Sequence, residues 1–246
     1  KEYFYSDLDI ANEIYNYFYE QYKFSKIPHE KKIVIEYYKG EKNYVIFHSL
    51  YGRRVNDALS RSIGYLMGQK TGRDIEIGIN DNGFYFSGEK LPINEAIKFL
   101  SSDNLKEILE EAISKTEVLK RRFRHCAIRS LMILKNYKGK TKTVGKQQMN
   151  SFFLMSTINK ISKDFPILKE ARREVLEDLM DIKSTKKILK LIEDGLIKIE
   201  IKEVNLPSPF TLNLIIQGHT DLIRIEDKQA FLKRMHELHM KAIGEE

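Results

Sequence analysis

The chain holds one cysteine, Cys126, in 246 residues, which excludes an internal disulfide framework and any cysteine-rich zinc site. Flanked by Phe123, Ala127 and Leu131, that thiol reads as a small buried hydrophobe. No window reaches the roughly 18 consecutive apolar residues of a membrane span, and no stretch has the order of a secretory signal peptide. A cytoplasmic chain without membrane contact is therefore expected. It opens at Lys1 rather than methionine, as a processed chain or an excised piece of a longer one would. Missing too is a phosphate-binding loop, which needs two glycines four residues apart before Lys-Ser/Thr so that backbone amides can wrap phosphates. Gly64 to Thr71 fails that spacing, and Gly139-Lys140-Thr141 has Leu134 where the first glycine belongs. No acidic partner motif for magnesium accompanies either, so nucleotide hydrolysis in this chain is not expected.

Acid is absent from one long stretch. Between Val118 and Lys163 there is no Asp or Glu, while Lys120, Arg121, Arg122, Arg124, Arg129, Lys135, Lys138, Lys140, Lys142, Lys146, Lys160 and Lys163 all fall inside it. The whole chain carries +7 and these twelve residues +12, leaving −5 for the remainder. The positive charge is local, and a polyanion is its natural partner.

At 42% hydrophobic and 31% charged residues, the composition is that of a soluble globular protein, with material for one large domain or two small ones. Ile10, Ile14 and Phe18 give an N-terminal helical stripe from Ser6 or Asp7 to about Phe24, expected to cover the core with its tyrosines. Strands Lys32 to Tyr38 and Tyr44 to His48 flank the turn Lys39 to Asn43. A helix from Arg53 to about Gln69 leads to a second hairpin, Asp74 to Ile79 with Phe84 to Ser87, whose Asn82-Gly83 step favours a left-handed turn. Helices then dominate: Ile93 to Leu100, Leu105 to Ser114, Glu117 to Leu134, Gln147 to Ile161, Pro166 to Met180 and Ser184 to Asp194. The Glu117 to Leu134 helix should be central, with its Leu131 to Leu134 end buried. A strand from Ile197 to Val204, an apolar run from Leu212 to Ile216 and a helix from Glu226 to about Ile243 close the chain.

The fold class is thus α+β: an N-terminal helix and antiparallel hairpins packed with a larger helical half, then short C-terminal strands and a helix. The division falls at 1–90 for the α+β part and 91–246 for the mainly helical part, together forming one compact unit.

Candidate contacts follow from the charge. Lys138, Lys140 and Lys142, each separated by one small residue, place cations along an extended edge that can follow a phosphate backbone. Lys146, Gln147 and Gln148 add an ammonium and two amides near a helix start, a suitable anion site. Arg121, Arg122 and Arg124 oppose the helix dipole at their own helix start, so folding alone would not choose them, and Arg121, Arg124 and Arg129 are expected to support the lysines electrostatically or to anchor locally. Arg53 and Arg54 form a second candidate contact. No catalytic constellation and no metal site is expected. His236 and His239 share a helix face without a third ligand, and Glu170, Glu174, Glu177, Asp178 and Asp181 are interleaved with Arg172 and Arg173 at ion-pairing spacing.

Six blocks occur in order: Leu50-Tyr51-Gly52-Arg53-Arg54-Val55-Asn56-Asp57-Ala58-Leu59; Asn82-Gly83-Phe84; Arg122-Phe123-Arg124-His125-Cys126-Ala127; Asn136-Tyr137-Lys138-Gly139-Lys140; Arg173-Glu174-Val175-Leu176-Glu177-Asp178; and Pro207-Ser208-Pro209-Phe210. Together they resemble the DEAD/H-associated region that follows the motor in large helicase-related (Lhr) proteins, in the archaeal branch of that family. Cys126 and Tyr51 depart from the expected small apolar residue and phenylalanine.

The resemblance implies an accessory part of a superfamily 2 helicase that uses ATP to move 3′ to 5′ on single-stranded nucleic acid and to separate DNA and DNA:RNA duplexes. ATP and magnesium would bind in motor domains outside this chain. Expected partners are single-stranded or tailed DNA or RNA and the motor and winged-helix domains of the same polypeptide, with a monomeric chain. A module docking on protein through its basic surface, and a nuclease using Glu174 and Asp178, are the rival readings.

Overall fold

The structure, a computed structural model, describes residues 7–39 and 43–218 together with Lys233 and Glu237. The turn expected between Lys39 and Asn43, and the histidine pair and helix expected beyond Glu226, fall largely or wholly outside the described residues.

Short runs rich in β-branched and aromatic residues form the two hairpins, and in three of their four strands the buried stretch is continuous rather than alternating. Strands β1 (Lys32–Lys39) and β2 (Asn43–His48) pair antiparallel, as do β3 (Glu76–Asn80) and β4 (Gly83–Gly88). A sheet edge is an open template, and β1 closes its own by pairing in parallel with β7 (Lys198–Val204), in the register Lys32↔Lys198. The sheet is therefore mixed, with order β3-β4-β2-β1-β7. The β3–β4 turn is not left-handed as expected, since neither Asn82 nor Gly83 has positive φ. Asn80 Oδ1 holds it by accepting from the Asn82 amide at 2.9 Å. Gly83 is required for space, because a Cβ there would lie 2.1 Å from the Phe47 carbonyl oxygen.

Both sheet faces are covered. Ile33, Ile35, Val45, Phe47, Phe84 and Phe86 belong to one core with α2 (Arg53–Thr71), α3 (Ile93–Phe99), α4 (Leu105–Ile113) and α8 (Ile182–Glu193). Ile46 and Tyr85, on the other face, pack with Leu214 and Ile215 of α9 (Pro209–Gly218). The apolar run from Leu212 to Ile216 is thus helix rather than strand, entered through Pro209 at a first-turn position that suits proline. Only one C-terminal strand, β7, lies among the described residues.

Helix α1 (Leu8–Phe24) touches α9, with Phe18 edge-on to Phe210. Its expected stripe does not enter the core, because Ile10, Ile14 and Phe18 stay largely exposed and only Gln21 is buried. Gln21 joins a sealed polar cluster around Glu36. The carboxylate accepts from Ser208 Oγ at 2.9 Å and Thr211 Oγ1 at 2.6 Å, and His48 Nε2 lies 3.2 Å away.

The remaining helices are α5 (Glu117–Arg129), α6 (Val144–Ile161) and α7 (Pro166–Arg173), the last running into a π-helical turn, Glu174–Leu179. α5 ends five residues earlier than its apolar pattern predicts. Leu131 adopts φ 59° and is 73% exposed, Met132 and Leu134 are exposed, and Ile133 alone turns inward. Left-handed backbone costs a leucine about 1–2 kcal/mol and is normally given to glycine at this position after a helix.

Candidate nucleic-acid interface

The wheel of α5 sorts its cations. Leu119, Phe123, Cys126 and Ala127 form the buried face. Arg122 and Arg129 emerge on one side of it, toward Glu174 on the π-helical turn. Arg129 Nη2 bonds Glu174 Oε1, and Arg122 Nη1 lies 3.8 Å from Oε2. Glu174 is 7% exposed, and a buried carboxylate needs such partners. Burial, with Glu174 beside it, pushes the Cys126 thiol up to about 11, so it stays protonated at neutral pH. Burial followed by Arg124, Arg122 and Arg129 holds His125 below its ordinary range.

On another side, Lys120, Arg121 and Arg124 line a groove of about 970 Å³ whose opposite wall is α6, with Gln148, Met149 and Phe152. Met149 and Phe152 are 57% and 61% exposed. Lys120 is paired to Glu117 at 2.6 Å, whereas Arg121 and Arg124 have no acidic partner among the described residues. An arginine-lined wall facing an open aromatic can hold phosphates on one side and bases on the other.

Before α6 comes a small hairpin, β5 (Asn136–Tyr137) with β6 (Lys140–Thr141), where a plain loop is expected from sequence. Lys138 and Gly139 have φ 50° and 73°, the sign pattern of the mirror-image turn that suits a two-residue hairpin. The Lys142 amide bonds the Lys135 carbonyl at 2.9 Å, closing its base. Lys138, Lys140 and Lys146 are exposed and Lys142 half-buried. None of the four has an acidic partner among the described residues. α6 begins three residues before the expected Gln147, capped by Thr143, which accepts from the Lys146 amide at 3.4 Å.

Three expected contacts are engaged elsewhere. Gln147 is buried and donates to the Lys142 carbonyl at 2.8 Å, bracing the hairpin. Arg54 donates to the Glu177 and Met180 carbonyls at 2.6 and 3.3 Å, tying α2 to the π-helical turn. Arg129 serves Glu174. Arg53, exposed at the start of α2, lines neither groove nor hairpin. Within 170–181 only Glu170 and Arg173 pair at the expected i,i+3 spacing. Arg173 also reaches Asp178, Lys183 holds Glu177, Asp181 caps α8 through the Ser184 amide, and Glu174 is held from α5. Arg172 donates to the Lys163 carbonyl at 2.7 Å instead of pairing with an acid. No group of three or more potential metal ligands occurs among the described residues. Sequence reading missed Phe152 and Met149 as groove residues. Their signal was present in α6, where Met149, Phe152, Phe153, Leu154, Met155, Ile158 and Ile161 occupy too many sides of one helix for all to be buried.

Fold and groove together define an α+β domain with a basic, partly aromatic face. The chain belongs to the DEAD/H associated family, whose model matches residues 27–211. It is 45% identical over 240 residues to the ATP-dependent helicase Lhr-Core of Methanothermobacter thermautotrophicus, covering 96% of this chain and 28% of that protein. It is 43% identical to the Lhr-Core of Saccharolobus solfataricus, covering 94% and 27%. The solved structure of the Mycobacterium smegmatis helicase Lhr bound to ssDNA and AMP-PNP superposes with a TM-score of 0.74 at 26% identity, covering 83% of this chain and 27% of that one. The chain therefore spans a little over a quarter of each of these three proteins, and the Lhr resemblance carried by the six blocks is borne out.

Proposed function

We propose that this chain is the nucleic-acid-binding accessory part of an ATP-dependent 3′-5′ DNA/RNA helicase, guiding the single strand on which a separate motor acts. It contributes no nucleotide hydrolysis, and it works as a monomeric unit of its polypeptide. The observation that carries this reading is the groove between α5 and α6, where Arg121 and Arg124 face exposed Met149 and Phe152, with Lys138, Lys140, Lys142 and Lys146, which have no acidic partner among the described residues, leading into α6. The ssDNA bound by the Mycobacterium relative supports it.

Titration with tailed DNA, RNA and hybrid duplexes at several salt concentrations tests this. If each of the four lysines neutralises one phosphate, replacing all four by alanine lowers the log–log salt slope by about 3. An unchanged slope and affinity would remove the hairpin from the site. One observation favours docking on protein instead: Phe153 and Ile161 of α6 are 62% and 69% exposed and do not line the groove. Capture by the motor portion of a relative, with no affinity for any strand, would decide for that reading.

A further inference from the structure

We infer that Leu131 and Met132 form an apolar wedge that inserts against bases where a strand leaves a duplex, a role that rests on the strand-binding reading above. The first ground is conformation. The position after α5 calls for glycine, yet leucine sits there with φ 59° and 73% of its surface open. Its amide is tied to the Ile128 carbonyl at 3.1 Å, and Ile133, two residues on, is buried with its amide on the Ala127 carbonyl at 3.0 Å. The turn is therefore pinned at both ends and presents Leu131 and Met132 outward on a fixed backbone. Burial gives no reason for the leucine, and the backbone gives a reason against it.

The second ground is charge. Arg129 and Lys135 bracket the tip in sequence, and Lys138 and Lys140 lie on the hairpin whose base is closed by the Lys135–Lys142 hydrogen bond. All four belong to the acid-free stretch. Lysine is depleted from protein–protein interfaces, whereas apolar side chains framed by lysine and arginine are what proteins push between base steps. The lysines would hold the backbone while the leucine and methionine meet the exposed base face.

The test uses the 246-residue chain and a tailed duplex carrying 2-aminopurine at the junction, a base whose fluorescence rises on unstacking. The wild-type chain should raise that signal. L131G, which keeps the left-handed backbone and deletes the side chain, should lose most of the rise, and L131G combined with M132S should lose it all. Both variants should retain salt-dependent affinity. A full signal from the double variant overturns the wedge. So does wild-type binding without any rise in signal, which leaves the strand reading standing. Absence of wild-type binding overturns the strand reading and the wedge together. If the double variant instead loses capture by the motor portion of a relative, while the junction signal is unmoved, the tip is a protein-docking surface and the wedge is wrong.

Discussion

Glu36 shows how much one residue holds here. Its side chain is sealed from solvent on a central strand, and its partners come from β2 and from the segment entering α9, with Gln21 of α1 at 3.5 Å. Burial alone would raise its pKa, but hydrogen bonds and the charge of His48, with the hydroxyl of Thr211, outweigh burial and bring the carboxyl down to about 2. Because the folded value lies below the ordinary 4.5, the stabilisation is fully present above pH 4.5 and is lost as pH falls toward 2. The depression corresponds to about 3 kcal/mol over that window. Urea unfolding at pH 6 and pH 2.5 should show this loss in the wild-type chain and a smaller one in Glu36→Gln. Equal pH dependence in the two would mean that other carboxylates set the acid sensitivity.

Helix α5 carries two basic faces with different work, and paired substitutions separate them. Arg129→Ala leaves Glu174 with a weaker partner and should cost about 1–3 kcal/mol of stability, discounted because the arginine itself is half exposed. The salt slope of strand binding should stay unchanged. Arg124→Ala should do the reverse, lowering the slope by roughly 0.7–0.9 with little change in stability. Thermal unfolding and salt titration of both variants check this, and matching responses from the two would dissolve the division. The sequence foretold this helix, its basic start and the Glu170–Arg173 pair, because all three depend on local spacing, but not that Glu174 is held by arginines of α5. It did not foretell where the helix stops. Leu131 to Leu134 has the composition of a buried turn, and only the left-handed turn at Leu131 shows that one of the four goes inside. The same limit hid the helical state of Leu212 to Ile216, since a five-residue apolar run suits a strand and a helix equally. α1 has the stripe of a core helix without the burial, because stripe and partner are separate facts.

At the scale of the whole molecule, the division at residue 90 meets the pairing of β1 with β7. Residues 1–90 contain four of the five strands of the larger sheet, yet the edge of β1 is closed by residues 198–204, and the core running from Ile33 to Phe86 is completed by α3, α4 and Leu189 of α8. The polar cluster at Glu36 likewise takes Ser208 and Thr211 from the far end of the chain. Cutting at residue 90 would open the β1 edge, bare the sheet face that carries Phe47 and Phe84, and leave Glu36 with fewer hydrogen bonds in a less protected place. Each loss alone weighs heavily against a domain's marginal net stability. The two parts should therefore unfold together. Far-UV and near-UV circular dichroism of the intact chain are expected to give coincident single transitions, and a fragment of residues 1–90 should show no cooperative transition of its own. Two separated transitions, or a fragment that melts sharply, would make the halves independent units. The strand path would then belong to the helical half alone, because every residue of the groove and the hairpin lies beyond residue 113.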